Sequence, residues 1–186
     1  MPGNAPTVQR ITVDTSRAPT RGDPGAPVLL VEFADFRCHY CRKTAPVVER
    51  VLETYPHDVR LAFIHFPIVS PDSGRAAIAA EAAREQHQFW AMHDALYALQ
   101  GRPLREEDLR NAAATMGLEV DRFSQDLRNP VLLTRVQADQ DQARTLGIEA
   151  TPTFVVNGRV VVGAVSFEGL TAIIDSELRA TRGSRS

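Results

Sequence analysis

The sequence predicts an α/β fold in which a central mixed β-sheet is interrupted by an inserted block of helices. Three observations predict it. Two apolar runs, Val28–Phe33 and Val59–Pro67, enclose a segment with helical periodicity. A helix-rich tract then fills residues 73 to 146. The chain closes with two short β-rich runs about an Asn157-Gly158 turn, followed by one more helical segment.

Residues 7–13, "TVQRITV", carry enough β-branched side chains for a short strand, and the Pro- and Gly-rich stretch 14–27 reads as a loop. "VLLVEF" is apolar throughout apart from Glu32, which suits a strand buried on both faces. Val47, Val48, Val51, Leu52 and Tyr55 then recur at helical spacing, with Pro46 expected to kink that helix. "VRLAFIHFP" is a second buried strand, and strand–helix–strand in this order implies a parallel, right-handed βαβ unit.

The inserted tract opens with "SGRAAIAAEAAREQH", whose alanines favour helix strongly. In "QFWAMHDALYALQ", Phe89, Met92, Leu96 and Leu99 share one face. Gly117 is expected just past a helix C-terminus, and Asp121 is expected to cap a short helix carrying Phe123 and Leu127. Asn129 followed by Pro130 is an N-cap with Pro at N1, opening a helix that stops at Gly147. Asn157-Gly158 is a strong hairpin signal, and Ser166 caps a closing helix with Phe167, Leu170, Ile173, Ile174 and Leu178 inward. The sheet should therefore carry helices on both faces, with the inserted block over one end as a lid.

Bulk properties exclude several classes. A chain of 186 residues buries a core without staples, and its net charge of −2 gives no footprint for nucleic acid or an anionic membrane. Lys43 is the single lysine, the arginines being spread along the whole length. The Arg21-Gly22-Asp23 triplet arises easily by chance and carries no adhesion argument. No segment reaches the ~18 apolar residues of a membrane helix. The start, "MPGNAPTVQR", lacks the basic and apolar regions of a signal peptide. The ending "GSRS" resembles an affinity-tag remnant, so a removed leader is expected and with it a periplasmic or extracytoplasmic setting; a complete chain would be cytoplasmic.

Both cysteines, Cys38 and Cys41, lie in "EFADFRCHYCRK", where a strand gives way to a helix. One close pair is either a redox couple, half of a metal site or a buried coincidence. A cysteine at a helix start sees unpaired N–H groups and the positive end of the macrodipole, both favouring the thiolate that thiol chemistry needs. Cys38 is thus expected to be the exposed nucleophile, and Cys41, one turn on, the buried resolving thiol. A fall of the Cys38 pKa to ~5.5 would favour the reduced form by roughly 2 kcal/mol at pH 7, or roughly 45 mV. A protonated His39 beside Cys38 would add to this. Glu32, an acid in an apolar run, should have a raised pKa if buried. Pro152 at the start of a core strand is awkward unless its peptide bond or edge position is special.

Taken together, the acid-bearing strand, C-x-x-C opening a helix, Pro46 five residues later, and Thr151-Pro152 before a β-hairpin resemble the thioredoxin fold. The inserted helices make the chain similar to the DsbA-like thiol–disulfide oxidoreductases, from about Val28 to Leu178. The resemblance implies a thioredoxin-like domain over 26–70 and 148–180, an inserted helical domain over 71–147, an N-terminal strand and loop over 1–25, and a tag remnant over 181–186. It further implies a cis Pro152 facing the cysteines, Glu32 as a proton relay for Cys41, and substrate contacts from Tyr40, Thr151 and Pro152.

The expected function is exchange of a Cys38–Cys41 disulfide with protein substrates, as a disulfide donor. The alternatives are a reductase or isomerase of the same fold, or a copper carrier using both cysteines and a distant histidine. No cofactor or resident metal is expected. The expected partners are unfolded or cysteine-containing proteins and a membrane-bound recycling partner, the protein itself being a monomer. Phe36 is expected to pack, and Arg37 to assist Cys38 only if its head turns inward. Phe89, Trp90 and Tyr97 are expected in the core, one of them lining an apolar groove, and His65, His87 and His93 to be structural or solvated.

Overall fold

The structure is a computed structural model and describes residues 10–183. Among these, five strands, β1 (Thr20–Gly22), β2 (Val28–Ala34), β3 (Val59–His65), β4 (Thr153–Val156) and β5 (Arg159–Val162), form one sheet in the order β1-β3-β2-β4-β5. Only β2 and β3 run parallel; the other three pairings are antiparallel, so the sheet is mixed. The crossover between β2 and β3 is helix α1 (His39–Thr54), which runs through Pro46.

Alternation along β2 divides the core. Val28 and Leu30 join Leu61, Phe154 and Val156 on one face, beneath Val48 and Val51 of α1 and Leu170 and Ile174 of α7 (Phe167–Gly183). Val31 and Phe33 join Ala62, Ile64 and Val155 on the other face, against Ala143 and Ile148. Each such fully buried Val, Leu or Phe contributes about 1.5–3 kcal/mol, and a strand satisfying both faces has no solvent-facing side to alternate towards.

The inserted block comprises α2 (Ser73–Arg84), α3 (Phe89–Ala98), α4 (Glu106–Thr115), α5 (Val120–Asp126) and α6 (Pro130–Thr145). Six alanines of α2 are buried around its circumference, so its small side chains let neighbouring helices close in on it from several sides. The block shares one core with Ala34, Phe36, Cys38, Cys41 and Phe63, which places it over the end of the sheet from which the cysteines emerge. Gly117 and Gly147 take positive φ of 78° and 72° just past α4 and α6, and the Asn129 side chain accepts from the Val131 N–H at the start of α6.

Three expectations are corrected. The strand expected over 7–13 is not formed in its described part: Arg10 makes an isolated bridge to Arg159, and residues 7–9 lie outside the described residues. Side-chain charge, not a ladder, fastens this arm, because Arg10 donates twice to Glu177 at 2.9 Å. The edge strand is instead β1, inside the segment read as loop, where Gly22 at φ 101° passes so close to β3 that a Cβ would stand 2.6 Å from the Val59 carbonyl oxygen. Finally, the residue capping α5 is Glu119, and Asp121 lies exposed in its first turn.

Candidate active site

Strand β2 ends at Ala34, and Asp35-Phe36-Arg37 turns the chain into α1. The carboxylate of buried Asp35 accepts the N–H groups of Arg37, Ile68 and Val69, each at 2.8 Å, and so locks this turn to the loop after β3. The Asp35 carbonyl accepts the Cys38 N–H at 3.0 Å. These bonds set Cys38 at the N-cap of α1, with extended backbone (φ −77°, ψ 120°) and its sulfur accepting the Cys41 N–H at 3.4 Å. A sulfur here occupies the position of a capping oxygen, facing unpaired helix N–H groups.

Both cysteines are free thiols, with Cys38 5 % exposed and Cys41 fully buried. A hydrogen bond from the Cys41 thiol leads the effects that lower Cys38 to a pKa of about 5. Partial burial opposes the shift, while the Thr151 side chain and the Cys41 and Tyr40 N–H groups reinforce it. The Thr151 carbonyl oxygen lies 3.3 Å from Cys38 Sγ and accepts only from the protonated thiol, so it works against ionisation without overcoming the other donors. Cys41 moves the opposite way, far above the ordinary thiol range, because its proton is held by the Cys38 sulfur and its site is desolvated. One sulfur is thus prepared as an anion and the other as an acid.

Opposite this pair stands the Thr151–Pro152 peptide bond, which is cis. Pro152 is buried beside the hairpin, its carbonyl accepting the Gly163 N–H at 2.8 Å, and Thr153 is bonded to the Ala150 carbonyl at 2.7 Å. Glu32 lies on β2 beneath the cysteines, 2 % exposed. Burial, and secondarily the Cys38 charge, raises its pKa to about 8, and Oε1 has no hydrogen-bond partner. His39 and Tyr40 are exposed, their rings meeting 5.7 Å apart. The fold therefore brings Cys38, Cys41, Glu32, Thr151 and Pro152 together and turns the dipeptide between the cysteines outward.

Two positioning residues escaped the sequence reading. Gln100, just past α3, donates its side-chain amide to the carbonyls of Phe36 (2.7 Å) and Cys38 (3.0 Å). The Arg37 guanidinium turns away from Cys38 and donates to the carbonyls of Leu99 and Arg102. The inserted block therefore grips the cysteine turn from both directions. Signals for these contacts are absent locally, since the partners lie more than sixty residues apart in the chain. Phe36 packs as expected, its ring stacked on Phe63 at 5.2 Å.

The histidines do not gather at the thiols. His65 is buried against Glu81 (3.2 Å), His93 sits among Phe36, Phe63, Trp90 and Tyr97 with Nδ1 2.8 Å from Asp94, and His87 is exposed. Among the described residues no group of three His, Cys, Asp or Glu side chains is arranged to hold a metal, so the third ligand of a copper site is not assembled. No helix of the described residues is long and apolar enough to cross a membrane.

With this geometry in hand, the chain can be compared with known proteins. A family model described as thioredoxin matches residues 14–176. A probable disulfide bond formation protein D of Bacillus anthracis is 34% identical over 169 residues, covering 85% of this chain and 77% of that one. The Na(+)/H(+) antiporter NhaA 1 of Salinispora arenicola is 40% identical over 174 residues, covering 92% of this chain but 26% of the antiporter. The chain thus spans about a quarter of the length of the antiporter relatives it matches. A crystal structure of a thioredoxin-like oxidoreductase from Silicibacter pomeroyi superposes with a TM-score of 0.80 at 33% identity, covering 87% of this chain and 92% of that one.

Proposed function

The chain belongs to the thioredoxin family, and from that premise we propose that it is a thiol–disulfide oxidoreductase acting on protein thiols, working as a disulfide donor. The observation that carries the proposal is the Cys38 sulfur, an N-cap anion 3.3 Å from the Thr151 carbonyl, with the protonated Cys41 thiol buried behind it.

In the oxidising direction a substrate thiolate attacks Cys38 of the Cys38–Cys41 disulfide. The S–S bond breaks, a mixed disulfide forms, and the two electrons of the broken bond leave on Cys41. Cys41 takes a proton from Glu32, whose pKa of about 8 leaves it mostly protonated at neutral pH. A second substrate thiolate then attacks the substrate sulfur of the mixed disulfide and releases Cys38 as its favoured thiolate. The substrate leaves with a disulfide and the protein holds two more electrons. Backbone at Thr151, beside Pro152, is free to align an extended substrate segment, with exposed Tyr40 at its flank.

Direction follows from which redox form is stabilised. A Cys38 thiolate favours the reduced protein and so makes the couple more oxidising. This supports a donor over a reductase or an isomerase of the same fold. The antiporter relatives support work at a membrane surface, and the proposal accordingly includes a membrane-bound recycling partner and an extracytoplasmic setting. The test is the equilibrium potential of the Cys38–Cys41 couple against glutathione. A value near the DsbA end, about −120 mV, supports the donor, and one near about −270 mV makes the protein a reductant. Absence of any exchange with glutathione or reduced peptides would sink the activity altogether.

A further inference from the structure

Glu32 has no partner within the sheet. In register it stands opposite Phe63 on β3 and Phe154 on β4, both fully buried, so neither neighbour on its face offers a donor or a charge. A second buried polar atom near it is also without a partner, the Tyr97 hydroxyl of α3. Its ring is held between Phe36, at 5.2 Å, and the edge of His93, at 4.8 Å. A buried hydroxyl and a buried carboxyl are both costly to leave unpaired.

The two groups are electrostatically coupled. Burial first, and then Glu32 ahead of Cys41, Cys38 and Asp35, raises the Tyr97 phenol well above its usual range, so it is a neutral O–H throughout the working pH range. Asp35 is already committed to its three backbone N–H groups. On its outer side Tyr97 lines a cleft of about 500 Å³ between α1 and α3. The charged groups there are largely matched: Arg21 pairs with Glu49 at 2.8 Å and His93 with Asp94, leaving Arg42 at the α1 side.

We propose that the Tyr97 hydroxyl is a relay group joining Glu32 to the α1–α3 cleft, so that the proton exchanged with Cys41 travels by this side of the molecule and not past a substrate seated on Cys38. The inference rests on the exchange reading above. Each passage balances without a charged tyrosine. When Glu32 takes up the Cys41 proton during reduction of a substrate, it hands its own on to the phenol oxygen as the phenol proton leaves to water in the cleft. In the oxidising direction the same transfers run inward. Tyr97 acts through Glu32 and does not touch the sulfurs' substrate, which makes it a positioning residue whose loss is read in proton transfer.

Tyr97→Phe keeps the ring between Phe36 and His93 and removes only the oxygen. The measurement is the rate at which Cys41 resolves a preformed Cys38–glutathione mixed disulfide, from pH 5 to 9, at rising formate or imidazole concentration. The expected result is resolution about tenfold slower in Tyr97→Phe at low buffer, recovering as the small acid or base enters the cleft, against a wild-type rate independent of buffer. In a Glu32→Gln background the Tyr97→Phe change should add nothing. Equal slowing in both backgrounds marks a packing defect and overturns the relay, as does a Tyr97→Phe rate equal to wild type at every buffer concentration. A wild-type protein that forms no mixed disulfide overturns the exchange reading and this inference together; the other two results overturn the relay alone.

Discussion

Lowering the pH through the Cys38 titration gives the sharpest test of how this site is poised. With Cys38 at about 5 and Cys41 far higher, the reduced protein binds two sulfur protons below about pH 5 and one above it. For a two-electron couple each bound proton contributes about 30 mV per pH unit. The potential should therefore fall about 59 mV per unit below the break and about 30 mV per unit above it. Between pH 5 and 9 the total drop is about 120 mV, against about 240 mV for a pair of ordinary thiols. At pH 7 the thiolate makes the couple at most about 60 mV more oxidising, and nearer half of that once solvent screens a sulfur just beneath the surface. Equilibration with glutathione or dithiothreitol buffers at each pH, acid quenching and alkylation reads the fraction reduced. A steep slope continuing unbroken beyond pH 8 would refute the claim that the helix tip and the Cys41 thiol stabilise a Cys38 anion.

Other outcomes follow from the same geometry. Cys41→Ser should accumulate mixed disulfides with reduced peptides or proteins on non-reducing gels, and Cys38→Ser should not; the reverse pattern would exchange the two roles. Glu32 is a carboxyl whose folded pKa is raised from 4.5 to about 8, so its penalty is absent below pH 4.5 and grows up to pH 8. Relative to wild type, Glu32→Gln should gain about 3 kcal/mol between pH 4.5 and 7 in urea titrations, and a constant difference would contradict the buried carboxyl. Glu81 is the opposite case: burial raises it, but the His65 ring, with Arg84 and Arg135, holds it down to about 2. Its stabilisation is present above 4.5 and lost as the pH falls toward 2. Glu81→Gln should cost about 3 kcal/mol at neutral pH by chemical denaturation, and a neutral result would mean that the His65 pair is dispensable.

What could be read in the sequence was chemistry confined to a few adjacent residues. Asn129-Pro130 and Asn157-Gly158 carry their own backbone instructions, and the structure uses both, Asn157 and Gly158 having φ of 45° and 93°. Cys38 at a helix start and Glu32 in an apolar run were legible because strand and helix periods place them. The edge strand β1 was not legible, since three residues paired on one side need no apolar alternation; Trp90 holds it by donating to the Thr20 carbonyl at 3.1 Å. Asp121 misled because the cap of α5 uses no side-chain bond, leaving nothing for composition to signal. Gln100, Arg37 and the carboxylate of Asp35 act across the fold, and only the docking of the inserted block shows what they reach. Tyr97 looked like a core aromatic and is one, yet its hydroxyl matters only beside Glu32.

The hold of Gln100 on the carbonyls of Phe36 and Cys38 has one more consequence. A clasp on main-chain oxygens is indifferent to which amino acids lie between the two sulfurs, and the side chains of His39 and Tyr40 face water with their rings against each other. The voltage of the couple can thus be retuned at those two positions without loosening the scaffold that aims it, much as a string is tightened without moving the bridge.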